Sequence, residues 1–156
     1  MDPRQERGRR LAQDKRIKQV EGAIGYVELI YAEANKLPYA LLKNSAGKFV
    51  APTLASSTAA AAGAGLKAGT DFRVSITNAA GADVYPITSF TWLLVPADNK
   101  DPVKAKQIRD FLTWMISDEA QAMAQQLTYA PLPADVRKLV ADRIRTLKAA
   151  GKPIPG

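Results

Sequence analysis

The segment VYPITSFTWLLVP, residues 84–96, constrains the fold more than any other part of the chain. Side chains alternate across a strand, so Ile87, Leu93 and Val95 take one face and Phe90, Trp92 and Leu94 the other. A half-solvated strand would show polar residues on one of those faces. Apolar groups on both predict an interior strand covered on either side by helices. Pro86 fits only near the strand's start, where its missing N–H removes no ladder bond.

Helices to cover such a strand are readable on both sides of it. Asp101 is placed to cap a helix with Pro102 at its first position, and Ala105, Ile108, Phe111, Leu112 and Met115 then repeat at helical spacing. Ser117 restarts a cap with Asp118 and Glu119 in the next first turn, and Ala120, Met123, Ala124 and Leu127 continue a buried face. After the loop TYAPLP, Val136, Leu139, Val140, Ile144 and Leu147 mark a last helix. Arg137, Lys138, Arg145 and Lys148 are assigned to its water side. The tail GKPIPG cannot extend it.

Strands are scarcer. Ala23–Val27 reads as one, followed by helical turns in ELIYAEANK. Residues 39–42 and 48–51 read as two more, joined by Asn44, Ser45 and Gly47 and ended by Pro52. Residues 5–20 read as a helix without a core stripe, since Leu11, Ile17 and Val20 fall on different faces. The alternation of strands and helices predicts an α/β layered class. Too few strands are present to complete the sheet that the 84–96 segment requires.

Composition narrows the chemistry. The 156 residues are 47% apolar and 24% charged, enough to build a core. Cysteine and histidine are both absent, which removes disulfides, thiol nucleophiles, the usual zinc ligands and every Ser/His or Cys/His pair. No clustered carboxylates stand at a catalytic spacing, so an enzyme is the poorest class. No apolar run reaches the ~18 residues of a membrane span. The start, MDPRQERGRR, lacks the apolar core of a secretory signal, so the chain as written is expected in the cytoplasm.

The net charge of +7 sits at the ends. Residues 1–20 carry seven Lys/Arg against three acids, residues 137–156 six against one, and the body between them nine against eleven. Basic ends attract phosphate backbones or anionic surfaces. Nothing aromatic interleaves these charges, as nucleic-acid platforms require, so no specific nucleic acid is expected.

The run SSTAAAAGAG, residues 56–65, invites a phosphate-loop reading. Gly63, Gly65 and Gly69 are spaced one residue too widely for the dinucleotide fingerprint, no strand leads in, and no Gly-Lys-Ser/Thr follows. A helix ended by its glycines is the better account.

Taken in order, GAIGYVELIYAEANKLPYALLKNSAGKFVAPT, YPITSFTWLLVP, a helix with Phe111 and Trp114, and TYAPLP carry a family resemblance. Over about residues 20–145 the chain resembles the C-terminal part of the periplasmic phosphate-binding protein of the high-affinity phosphate ABC transporter. Gly22–Glu28, Gly47-Lys48 before Pro52, Pro86-Ile87-Thr88-Ser89, and Tyr129 with Leu132-Pro133 are specific in combination. The resemblance implies an α/β fold, the C-terminal portion of a two-lobed type II periplasmic-binding-protein fold, with an incomplete sheet flanked by helices. Residues 1–20 would be a basic N-terminal helix, 21–150 the partial domain and 151–156 a tail. Gly22–Glu28 would finish the second lobe and lead across the hinge, with Gly25 permitting a close backbone approach.

The family's phosphate ligands are a Thr-Gly-Ala-Gly loop with nearby serine and aspartate, and across the cleft an arginine and a Ser-Gly-Thr loop. All precede the segment matched here. Ala62-Gly63-Ala64-Gly65 lacks the leading threonine, and Ala68-Gly69-Thr70 lacks the serine and an upstream arginine. No ligand-binding, catalytic or metal residue is therefore assigned, and no cofactor is implied. The implied partners are inorganic phosphate, the transporter permease, and either the N-terminal part of the fold or a second copy. The implied setting is the periplasm or cell surface. The alternatives are a repurposed scaffold acting as an interaction module, or a weak nucleic-acid binder through the basic ends.

Overall fold

The computed structural model describes residues 17–155. The chain divides into two units, Met1–Ala40 and Leu41–Gly156. The expected helix over residues 5–20 and the charged start fall mostly outside the described residues; residues 17–19 are helical.

In the first unit, residues 23–28 run without a ladder into helix α1 (Leu29–Ala34). The helix closes where Leu37 N–H donates to the Ala32 carbonyl at 2.8 Å, with Lys36 in the left-handed region at φ 52°. Ala32 and Leu37 are its buried apolar residues. Residues Ala23–Val27, expected as a strand, belong to no strand, and Ile24 is 98% exposed.

The second unit opens with a hairpin of β1 (Leu42–Lys43) and β2 (Phe49–Val50), antiparallel with Leu42 opposite Val50. Gly47, at φ 80°, supplies the left-handed turn position that its sequence setting predicts. Helix α2 (Leu54–Ala62) starts on a reciprocal cap: Thr53 Oγ1 accepts from Ser56 N at 3.1 Å, and Ser56 Oγ accepts from Thr53 N at 2.9 Å. Its buried side, with Ala60 fully enclosed, meets Ile76 and Val84 in a small core onto which Ala79 and Phe90 pack.

Helices α3 (Pro102–Met115), α4 (Asp118–Gln126) and α5 (Ala134–Arg145) follow, with a sheet of β3 (Asp98–Asn99), β4 (Lys148–Ala149) and β5 (Lys152–Pro153). The caps are those expected. Asp101 Oδ1 accepts from Val103 N at 2.9 Å and Lys104 N at 3.2 Å, and Ser117 Oγ accepts from Ala120 N at 3.2 Å. In the sheet β3 and β4 are parallel and β4 and β5 antiparallel. Ala150 and Gly151 form the two-residue turn between β4 and β5, both at positive φ. The tail, expected not to be helical, pairs back onto β4. Arg109 holds it, donating to the carbonyls of Ile154 and Pro155.

The described residues therefore form a mixed α/β arrangement, small sheets flanked by helices. The sharpest departure is residues 84–96, which belong to no strand. A ladder needs partners, and no strand lies beside this segment among the described residues. The interior position that its two apolar faces predict is thus unfilled, and Leu94 is 97% exposed.

Candidate functional site

The two glycine stretches that invited an anion-binding reading are committed to local structure. A Cβ at Gly63 would lie 2.6 Å from the Ala80 carbonyl oxygen, so the glycine lets the end of α2 pack against that loop. Thr70 Oγ1 accepts from the Phe72 backbone N–H at 3.1 Å. Arg73, the next cation along the chain, pairs with Asp71 at 2.5 Å, and that hydrogen bond holds the Asp71 carboxyl below its ordinary range. Nothing converges here on a common ligand position. Among the described residues no group of three or more acidic side chains could hold a metal ion.

Gly25 does make a close approach, but to a side chain. An added Cβ would stand 2.6 Å from Ile17 Cδ1. The close approach expected at this glycine is made here to the Ile17 side chain.

An open depression of about 310 Å³ between α4 and α5 is lined by Asp118, Gln121, Gln125, Leu132 and Arg137. Several of its polar groups bind one another or the chain, while Arg137 Nε is buried without a partner among the described residues. Arg137 pairs with Asp118 at 2.5 Å. Gln121 donates to the Met115 carbonyl at 2.8 Å and accepts from Leu132 N at 2.7 Å. The group fastens the loop before α5 onto α4. Arg137, assigned from sequence to the water side of the last helix, is half-buried in this clamp. Asp118 itself stays in water. Arg145 is likewise paired, with Asp142 at 2.7 Å, the one acid among residues 137–156, and Asp118 adds a second acid from outside that basic end.

The second unit leaves several large apolar side chains in water. Ile87, Trp92, Leu93 and Leu94 are exposed along the extended segment. Helix α3 buries Ala105 and half-buries Ile108, Leu112 and Met115, the expected stripe except for Phe111. Phe111 instead stacks on Trp114, ring centroids 5.9 Å apart, and both are exposed together with Val103. At 100° per residue these three lie away from the core stripe, giving α3 two apolar sides. The spacing of Phe111 and Trp114 was visible in the sequence, but only the packing separates them from the core. On α4, Ala120 is buried and Ala124 half-buried, whereas Met123 and Leu127 are exposed and not in the expected buried face.

The described residues thus form a mixed α/β arrangement with exposed apolar side chains on α3 and along residues 87–94. The chain belongs to the bacterial extracellular solute-binding protein family, whose model matches residues 6–122. That match starts inside the basic N-terminal segment. The chain is 40% identical over 124 residues to the phosphate-binding protein PstS of Xylella fastidiosa (strain Temecula1 / ATCC 700964), covering 80% of this chain and 34% of that protein. It is 35% identical over 130 residues to the phosphate-binding protein PstS of Haemophilus influenzae, covering 83% and 39%. To the phosphate-binding protein PstS of Methanocaldococcus jannaschii it is 36% identical over 146 residues, covering 85% and 36%. The chain thus spans little more than a third of the length of these relatives. The expected family and its α/β periplasmic-binding class are borne out.

Proposed function

We propose that the chain supplies the C-terminal portion of a two-lobed phosphate-binding component of an ABC importer. In this reading it works in the periplasm or at the cell surface, delivers phosphate to the transporter permease, and catalyses no reaction. The observation that carries it is the 40% identity over 80% of the chain to a protein named for phosphate binding. The geometry supports a division of labour. Sequestering a phosphate dianion needs many donors converging on its oxygens. Of the described residues that could mimic such a loop, Gly63 packs the end of α2 against Ala80 and Thr70 is engaged by the Phe72 backbone. The chain's part is then scaffold, and the phosphate-binding groups come from the rest of the fold.

A second reading, an interaction module built on the same scaffold, draws on the exposed apolar faces of residues 87–95 and α3. Nucleic-acid binding loses ground because Arg137 and Arg145 are engaged by acids. The test is assembly. The chain, mixed with a separately expressed N-terminal part of a relative, should form a complex that binds phosphate with about micromolar affinity, ~8 kcal/mol. A stable complex that binds no phosphate would favour the interaction-module reading, and no complex at all would count against the fold-completion reading.

A further inference from the structure

We propose that residues 148–155 form a strap that opens and closes separately from the rest of the second unit, with Arg109 as its clasp. Closed, the strap lies on an apolar slot lined by Val95, Pro96, Ala105, Ile108 and Leu147, to which it contributes Ile154. Only about 10 Å³ stays free there, scarcely the room of one water. Ala105, on α3, is 3% exposed in that slot. Lifting the strap frees β3 from its parallel partner β4 and bares this side of α3.

What fastens the strap is mostly polar and near the surface. Lys148 N donates to the Ala97 carbonyl and Ala150 N to the Asn99 carbonyl, each at 2.9 Å. Gly151 N reaches both carboxylate oxygens of Asp98 at 3.0 Å. Asp110 orients the clasp: its Oδ1 accepts from Arg109 Nε at 3.0 Å and from Nη2 at 2.7 Å. Arg109 Nη1 then donates to the carbonyls of Ile154 and Pro155. Within the strap only Ala149 is buried and Ile154 half-buried; the other residues are exposed. Its ladders are two residues long, and the left-handed turn at Ala150 and Gly151 keeps β4 and β5 together as one hairpin. Water can replace each of these bonds when the hairpin lifts. A segment with exposed hydrogen bonds and few buried apolar groups lies at the low end of local stability. The core on α2, where Ala60, Ile76 and Val84 are enclosed, lies at the other end. Every group in the closure belongs to the described residues, so the strap works in this chain whether or not the chain serves phosphate binding.

The test uses the absence of cysteine from the chain, which makes a single introduced thiol an unambiguous reporter. Ala105→Cys places one in the slot and Ala60→Cys places one in the α2 core. Labelled by a thiol reagent without denaturant, the first should react at least about tenfold faster than the second. Low urea should hardly change the rate at Ala105→Cys, because lifting the strap exposes little surface, but should accelerate Ala60→Cys. Arg109→Met keeps the stem and removes the donors. It should speed labelling at Ala105→Cys at least about fivefold and leave Ala60→Cys unchanged, and Arg109→Lys should restore part of the protection. In the unsubstituted chain, amides of Lys148, Ala150 and Gly151 should be protected from hydrogen exchange at least about tenfold less than the hydrogen-bonded amides of α2. Equal labelling rates with the same urea dependence, or strap amides as protected as those of α2, would mean that the strap opens only with the whole unit and would overturn the inference. So would an Arg109→Met variant that speeds both thiols alike or neither.

Discussion

Asn44 is 6% exposed, and its side chain ties the β1–β2 turn to the loop that ends at Val84. Nδ2 donates to the carbonyls of Gly81 at 3.3 Å, Ala82 at 2.9 Å and Val84 at 3.2 Å. Oδ1 accepts from Ala46 N at 3.0 Å and Lys48 N at 3.1 Å. In Asn44→Ala the exposed Gly81, Ala82, Ala46 and Lys48 groups can turn to water, so each lost bond costs only its net value of ~1 kcal/mol or less. The Val84 carbonyl, beside a side chain in the core, has no such recourse and costs ~1–3 kcal/mol. Four such bonds at ~0.5 kcal/mol each, together with the Val84 carbonyl, give an expected loss of about 3–5 kcal/mol, equivalent to roughly 1.5–2.5 M in the urea midpoint at ordinary m values. Urea unfolding followed by tryptophan fluorescence, at protein concentrations low enough to exclude association, measures it. Asn44→Asp keeps the acceptor but sets a carboxylate against three carbonyl oxygens, which raises its folded-state pKa. Its stability should be greatest below the unfolded carboxylate pKa of ~4 and should fall as pH rises through the window between the unfolded and folded values. The reasoning is refuted if Asn44→Ala lies within about 0.5 kcal/mol of the parent, or if Asn44→Asp matches the parent at neutral pH.

Other substitutions test separate parts of the structure. Asp101→Ala removes the acceptor of two first-turn N–H groups of α3, and should cost ~1 kcal/mol, which Asp101→Ser should largely restore in the same urea assay. Gly63→Ala drives a methyl to 2.6 Å from the Ala80 carbonyl and should cost about 1–3 kcal/mol; a neutral outcome would show that this loop yields freely. Asp110 is held below its ordinary carboxyl range by hydrogen bonds from Lys106 and then Arg109. A depressed folded pKa gives stability that is present above the unfolded value near pH ~4 and lost as pH falls through the folded one. Asp110→Asn should therefore differ from the parent at neutral pH and low salt and converge with it in acid, and a difference that persists in acid would assign the effect to packing.

The parts of this fold that were legible in the sequence are those decided by near neighbours. Asp101 with Pro102, and Ser117 with its two following acids, start helices through hydrogen bonds within one turn. Asn44 and Gly47 mark a hairpin for the same reason. The parts that were not legible depend on residues far apart. Arg137 meets Asp118 across 19 positions, so helical periodicity alone sent it to water. Lys152–Pro153 reads only as a tail that cannot extend the last helix, because its pairing with β4, and the Arg109 grip on the carbonyls beyond, are tertiary. Residues 84–96 teach the converse. Their two apolar faces announce an interior strand, but being a strand is a property of a pair, and the described residues offer no second member. For the candidate site, spacing argued against an anion role for Gly63–Thr70, and the structure adds the contact of Gly63 with the Ala80 carbonyl and the Thr70–Phe72 hydrogen bond.

The most direct measurement of the central claim, that this chain is scaffold and the phosphate-binding groups lie elsewhere in the fold, is isothermal titration of inorganic phosphate into the chain by itself at physiological salt. Attraction to the basic ends is screened over ~8 Å under those conditions. The expected result is no saturable heat, or a dissociation constant no tighter than about 1 mM, ~4 kcal/mol. One-to-one binding at micromolar affinity would contradict the claim and would return attention to Gly63–Thr70 as a site.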